Sequence, residues 1–410
     1  MESLRLLIVI VCLLLIGITQ GMNQNNPNGD SHTKQETQED LDNQLAIKIR
    51  EYNPNSELQT DRIEEIRKLI KQGANVNEGL IEAIKEIKPD IVELLIKAGA
   101  NINLPDKTGK MPLHWAISSP SITKILISHG ALVNYKNQYD WPTPLKLAVI
   151  NSNDISMETA IALLHAGADP NATDIVFLDA EDPNSTNSNP EKVRIVYTLL
   201  DIVLLSIQFD EIKYKPAIYE NFLKKFRLLI LYGGRASEKA DAPLFLEMLN
   251  EELPQPLIQA IALRARGKVE KLLKENPPKT EKDIVRDNDG ISAIVYAAGQ
   301  GNEQILSLLL SYPAYQYDTQ GLEQAIEIVA SRLRGLLPGT PEYKKYKTIF
   351  DYLKKQLGTT WQALINELSG YTSQEGEVHA GVLPLPPEIN EYILKLTTPG
   401  AYGHIFPHGT

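Results

Sequence analysis

Four versions of one short phrase set the strongest limit on what this chain can fold into: KQGANVN (71–77), KAGANIN (97–103), SHGALVN (128–134) and HAGADPN (165–171). Their glycines, Gly73, Gly99, Gly130 and Gly167, stand 26, 31 and 37 residues apart, and Gly233 in LYGGRAS follows 66 later, two periods of 33. Ahead of each glycine runs an amphipathic stretch such as RIEEIRKLIKQ, DIVELLIKA, SITKILISH, ETAIALLHA or FLKKFRLLILY. Leu and Ile at i, i+3 and i+4 make one apolar helix face. A repeat of this size cannot hide that face alone, so it must stack on a neighbour of the same kind.

Each part of the phrase has a mechanical reason. The glycine stops the helix by taking the left-handed backbone that other residues resist. The small Ala beside it lets the chain turn closely, and the Asn four residues on can hydrogen-bond neighbouring backbone and hold the loop. After the loop, TGKMPLHWA (108–116) and DWPTPLKLA (140–148) open a new helix with proline in its first turn, where a missing N–H costs nothing.

These residues resemble ankyrin repeats, with Met111-Pro112-Leu113-His114, Thr143-Pro144-Leu145-Lys146 and, more distantly, Ser292-Ala293-Ile294-Val295 as helix starts and the glycine-alanine phrase as the finish. The copies are divergent and none is perfect, but starts and finishes occur in register. The resemblance implies an all-α solenoid of stacked helix-turn-helix repeats with short β-hairpin-like loops. Extending the register gives about eight units over 41–358. A polar insertion near 174–192, FLDAEDPNSTNSNP within it, reads as a surface loop. VRIVYTLLDIVLLSIQF (193–209) reads as one long helix paired with Tyr219 to Tyr232. Asp201 and Gln208 interrupt its apolar run, which favours a buried inner helix over a membrane span. The stretches 256–277 and 289–313 make further units, and a charged helix pair after them suits a terminal cap.

Residues 1–21 carry Arg5 ahead of an apolar run from Leu6 to Ile16 and read as a signal peptide, so the protein is expected to be secreted or periplasmic. The alternative is an uncleaved membrane anchor, for which the run is short. Residues 22–40 read as a disordered polar linker. The only cysteine, Cys12, lies in the apolar run, so the mature chain has no disulfide and no zinc-thiolate site. The segment 359–410 reads as a helical and proline-rich extension; within it Leu385-Pro386-Pro387-Glu388-Ile389 with Ile393 and Leu394 resembles the opening of an F-box. A short amphipathic helix and a polyproline ligand are the other readings of the same letters.

Chemistry-bearing motifs are sparse. There is no G-x-S-x-G, H-E-x-x-H or phosphate loop, so no enzyme, cofactor or metal is expected. DKTGK (106–110) lacks the upstream glycine of a nucleotide loop, and DNDG (287–290) lacks the glutamate of a calcium loop, since Tyr296 stands there. His404 and His408 are four apart, but Pro407 breaks the helix that would align them. Asn171-Ala-Thr and Asn184-Ser-Thr match the glycosylation acceptor. The net charge of −11, with no basic stripe along the chain, argues against general nucleic-acid binding.

What remains is surface recognition of a protein partner by a monomer. The ankyrin resemblance puts the partner on a concave face built from hairpin tips and exposed first-helix positions. Those are Asp106 and Lys107, then Gln138, Tyr139, Asp140 and Trp141 at tips, and Trp115, Ser118, Ser119, Leu147, Ile150 and Asn151 on the helices; by the same carry-over Asp287 and Asn288 form a further tip. An exposed indole offers large contact area with little entropy to lose, although Trp115 also suits packing between repeats. His114, at the signature histidine position, is expected to brace loops. The chain is thus expected to be an exported scaffold whose partner could be a host protein, or an adaptor whose F-box-like segment recruits a second protein such as a ubiquitin-ligase component.

Overall fold

Every repeat phrase closes its helix in the same way. At Gly73, Gly99, Gly130, Gly167 and Gly233 φ lies between +84° and +101°, where a side chain would be strained. The amides of Ala74, Ala100, Ala131 and Ala168 then donate back to Leu69, Leu95, Leu126 and Leu163 at 2.9 to 3.0 Å, closing the last turn. Helix starts are equally local. Pro112, Pro120 and Pro144 occupy the first turn, and the Thr143 hydroxyl accepts from the Lys146 amide at 3.3 Å.

The computed structural model describes residues 37–135, 142–151, 153–179, 192–208, 215–237, 242–316 and 318–357. Helices come in pairs: α1 (Gln38–Glu51) with α2 (Gln59–Lys71), α3 (Val76–Lys85) with α4 (Pro89–Lys97), α5 (Pro112–Trp115) with α6 (Pro120–Ser128), and α7 (Pro144–Ile150) with α8 (Asp154–His165). A two-stranded antiparallel hairpin follows, β1 (Thr173–Asp179) against β2 (Lys192–Thr198), and then α9 (Leu199–Ile207) with α10 (Pro216–Leu231). First helices stack on first helices from α1 to α9, and second helices on second helices from α4 to α10. The result is an all-α ankyrin-type solenoid carrying one β-hairpin.

The phrase's asparagine turns out to join units rather than hold its own loop. Asn103 Nδ2 donates to the Gly130 carbonyl at 3.0 Å while its Oδ1 accepts from the Leu132 amide at 2.9 Å. Asn134 makes the same pair with Gly167 and Asp169, and Asn171 with Gly233 and Arg235. Asn77 Oδ1 accepts from the Asn101 amide at 2.7 Å. At the N-terminal end two side chains share the task, Gln38 on the Gly73 carbonyl and Asp42 on the Asn75 amide. Each clamp satisfies backbone groups that a glycine turn leaves open. The Asn171 clamp spans 62 residues, so stacking passes over the β-hairpin as if it were absent.

Where the phrase lacks its asparagine, the ladder stops. Ser237 stands four residues after Gly233, and its amide donates instead to Asp201 Oδ1 at 2.9 Å. The chain continues through α11 (Ala242–Glu252) into α12 (Pro256–Ala262) paired with α13 (Arg266–Glu275), α14 (Ala293–Gly299) with α15 (Glu303–Leu310), and α16 (Thr319–Arg334) with α17 (Pro341–Leu357). This lobe turns back on the array: α14 packs against α10, and α16 against both α14 and α8. Backbone meets backbone at these joints. A Cβ on Gly299 would run into the Leu231 carbonyl oxygen, and one on Gly335 into that of Gly167. Arg334 Nη1 also donates to the His165 carbonyl at 2.6 Å.

Three expectations need correction. Residues 174–179, read as part of a surface loop, are strand β1. Residues 193–198 are strand, not the start of a long helix: four of the six residues of VRIVYT are β-branched, and the Thr198–Asp201 capping box starts the helix only at Leu199. Residues 37–40, read as the end of a disordered linker, start a helix, because the Thr37 hydroxyl and Asp40 form a capping box and Gln38 is already helical. Among the described residues no helix is long and apolar enough to cross a membrane.

Candidate functional site

On the first-helix side of the array, Trp115 sits at the end of α5, half-buried against the core. Its indole N–H donates to Asp106 Oδ2 at 2.9 Å, which ties the helix to the preceding hairpin tip. Lys85 Nζ, from the end of α3, and Lys110 Nζ, from the hairpin, each lie 4.3 Å from the centroid of the indole ring. Such cation–π contacts fix an aromatic plane and place charge beside it. Asp106 is strongly organised. Burial works against its charge, but donors from Thr108, the Lys110 amide and Trp115 outweigh that and hold its pKa below the ordinary carboxylate value. Lys110 titrates below a free lysine because of burial, with Asp106 opposing and Lys85 adding to the shift.

The other proposed positions separate into two groups. Lys107 is exposed and pairs with Glu78 Oε1 at 3.2 Å, Ser118 is exposed, Leu147 is half-buried and Ile150 is exposed on α7. Gln138, Tyr139, Asp140 and Trp141 lie outside the described residues. Ser119 is corrected. Ser119 is buried, its hydroxyl accepting from the Ile122 amide as the cap of α6, so a helix start consumes it. Asn151 is half-buried, and its carbonyl accepts from Lys225 Nζ, which also donates to Ser156 Oγ at 2.8 Å and the Val149 carbonyl at 3.3 Å. Burial pushes the Lys225 amine down to about 7, with Asp154 opposing. That turn is a structural joint between α7, α8 and α10. Asp287, read as a hairpin tip, is likewise buried, accepting from the Tyr296 hydroxyl at 2.6 Å.

His114 is buried, its Nδ1 accepting from the Met111 amide at 3.1 Å. Its pKa falls below the ordinary imidazole value through burial, against the pull of the Met111 and Pro142 backbone. Asn171 is a glycosylation acceptor by sequence, but its amide is spent on the Gly233 and Arg235 clamp. Sequence reasoning missed Lys85 and Lys110 as partners of Trp115. Lys110 belongs to the DKTGK loop and gave a signal; Lys85, 30 residues before the tryptophan, gave none. Among the described residues no group of three or more His, Cys, Asp or Glu is placed to hold a metal ion.

A helical solenoid whose glycine turns are clamped by the preceding unit has the architecture of stacked helical repeats. Residues 80–174 match the ankyrin-repeat family in three copies, so the chain contains ankyrin repeats, a general protein–protein interaction module. It is 39% identical over 74 residues to a putative ankyrin repeat protein of fowlpox virus, 17% of this chain and 14% of that one. It is 32% identical over 96 residues to a putative ankyrin repeat protein of Rickettsia felis, 22% of this chain and 41% of that one. With human inversin it shares 37% over 73 residues, 16% of this chain and 7% of that one. The chain thus spans well under two thirds of each of these relatives.

Proposed function

We propose that this protein is an exported, non-enzymatic scaffold that captures a protein partner, a host protein among the options, on the face formed by the first helices α3, α5 and α7 and the hairpin tip at Asp106 and Lys107. The observation that carries this is Trp115, a half-exposed indole held in place from three directions by Asp106, Lys85 and Lys110. An aromatic fixed in this way loses little entropy on contact and has the character of a binding hot spot. The lobe packs on the second helices α8 and α10, the opposite side of the array. Export rests on the signal-like residues 1–21, and N-terminal sequencing of the mature protein from the extracellular or periplasmic fraction tests it.

The binding face is tested by site-specific photocrosslinking in the full chain, with the crosslinker at exposed Ser118 or Ile150 and, as the control, at Lys97 on the second-helix side. A partner joined from Ser118 and Ile150, and lost with Trp115→Ala in a variant that keeps its helical signal, supports the reading; a partner joined from Lys97 alone overturns it. A second reading, drawn from LPLPPEINEYIL (383–394), is an adaptor that recruits a second protein. Those residues lie outside the described ones. Deleting 383–410 should then remove one of two captured proteins and leave the other.

A further inference from the structure

Positive charge collects where the ladder ends and the lobe turns back. Arg235 follows the last ladder glycine by two residues and is exposed. Arg264, just beyond α12, holds a φ of 56° and lays its Nε and Nη2 on the carbonyl and side-chain oxygen of Gln300, at 2.5 to 3.2 Å. Lys345 and Arg332 flank the Tyr346 ring, 5.8 and 5.4 Å from its centroid, and the Tyr346 hydroxyl donates to the Gly299 carbonyl at 2.9 Å. The turn at Gly299 to Gly301 is thus ringed by cations from distant parts of the chain. Gly301 leaves them room, since a Cβ there would stand 3.0 Å from Lys345 Nζ.

Their compensation is thin. Arg332 reaches Asp169 at 3.5 Å, and the carboxylate felt by Arg264 and Lys345 is Glu342. Burial, then Arg235 for one and Arg264 with Arg235 for the other, holds Arg264 and Lys345 below their ordinary pKa values. At the base of the cluster Arg332 is 4% exposed, and its Nε–H has no hydrogen-bond partner. In a chain with 52 acidic and 41 basic residues, gathering cations with so few counter-charges opposes folding. Local conflicts of this kind are expected where a site needs them.

We propose that this junction is a binding site for a phosphate-bearing anion. Arg235, Lys345 and Arg264 take its oxygens, beside the buried Arg332. Guanidinium groups match phosphate geometry with paired, charge-assisted hydrogen bonds, and Lys adds a mobile point charge. The Gly233 turn belongs to the array, whereas the end of α12 and α17 belong to the lobe. A bound phosphate therefore staples the lobe to the array.

The test uses the full chain and two probes: inositol hexakisphosphate in solution, and phosphatidylcholine vesicles with and without phosphatidylinositol bisphosphate. Calorimetry and vesicle sedimentation compare wild type with Arg235→Gln plus Lys345→Gln, and with Lys271→Gln plus Lys274→Gln as a distant control of equal charge. Wild type and control should bind alike, and the junction variant about tenfold weaker or worse. Without ligand, the junction variant should melt at or above wild type, because a repulsion has been removed. Binding to the soluble probe alone identifies a free phosphate compound, and binding to the vesicles identifies a lipid headgroup. The proposal is overturned if neither probe binds, or if the junction variant binds as well as the control.

Discussion

The ladder array (38–235) and the lobe (242–357) use the same helical pairs but join them differently. In the array the contact between units recurs: at Gly130, Gly167 and Gly233 the turn offers a carbonyl and an amide, and an asparagine from the preceding unit takes both. The lobe meets the array instead by direct backbone contact, Gly299 on Leu231 and Gly335 on Gly167. A side-chain clamp joins a unit only to its neighbour and can be iterated. A glycine-to-backbone contact has no reach, but it binds elements far apart in the chain, such as α8 and α16. The difference teaches how a one-dimensional array can be ended by folding it onto itself.

The largest effect should come from the lobe joint. Gly299→Ala places a methyl group against the Leu231 carbonyl, and should cost about 3 kcal/mol or more as the lobe shifts off the array. Denaturant unfolding followed by helical signal, with limited proteolysis around 242–316, would show the lobe opening first; a single unshifted transition would break the contrast between the two joints. Next comes Asn171→Ala, which removes the clamp over the β-hairpin and leaves the Gly233 turn unsatisfied, at about 1 to 3 kcal/mol. If the ladder is uniform, Asn103→Ala should cost the same within measurement, and unequal losses would sharpen the comparison by locating its weak rung.

A pH effect follows at the place where the two regions touch. Burial, reinforced by Arg334 and Lys124, pushes His165 down to about 3 from 6.5. The unfolded chain takes up this proton near pH 6.5 and the folded one only near 3, so stability is full above pH 6.5 and drains away as the pH falls toward 3. The slope in that window is at most about 1.4 kcal/mol per pH unit from this group, and His165→Gln should flatten it in chemical denaturation series. The smallest effect belongs to the surface. The Lys107–Glu78 pair is exposed, with Lys107 at 91%, so Lys107→Ala should change stability by less than about 0.5 kcal/mol in the same assay.

Much of the array was legible because its rules are local. Gly73, Gly99, Gly130 and Gly167 announce helix ends, Pro112 and Pro144 announce helix starts, and the spacing of Leu and Ile shows which face is buried. Trp115 was legible as a feature, but its cage was not, since Lys85 comes from another unit. Ser119 was misread because repeat register says which side a residue faces and not whether a helix cap has already taken it. The β2 strand was misread because an apolar run of that length fits helix or strand until a partner strand is seen.

By itself, then, the sequence determined the repeating unit: glycine stops, proline starts and amphipathic faces act through neighbours a few residues away, and so can be read without coordinates. Tertiary structure alone decided that Asn171 reaches across 62 residues, that α16 returns to α8, and that scattered Arg235, Arg264, Arg332 and Lys345 form one cluster in an acidic chain without a basic stripe. Those outcomes depend on which surfaces meet after stacking, and contacts between distant segments leave no period in the sequence to be read.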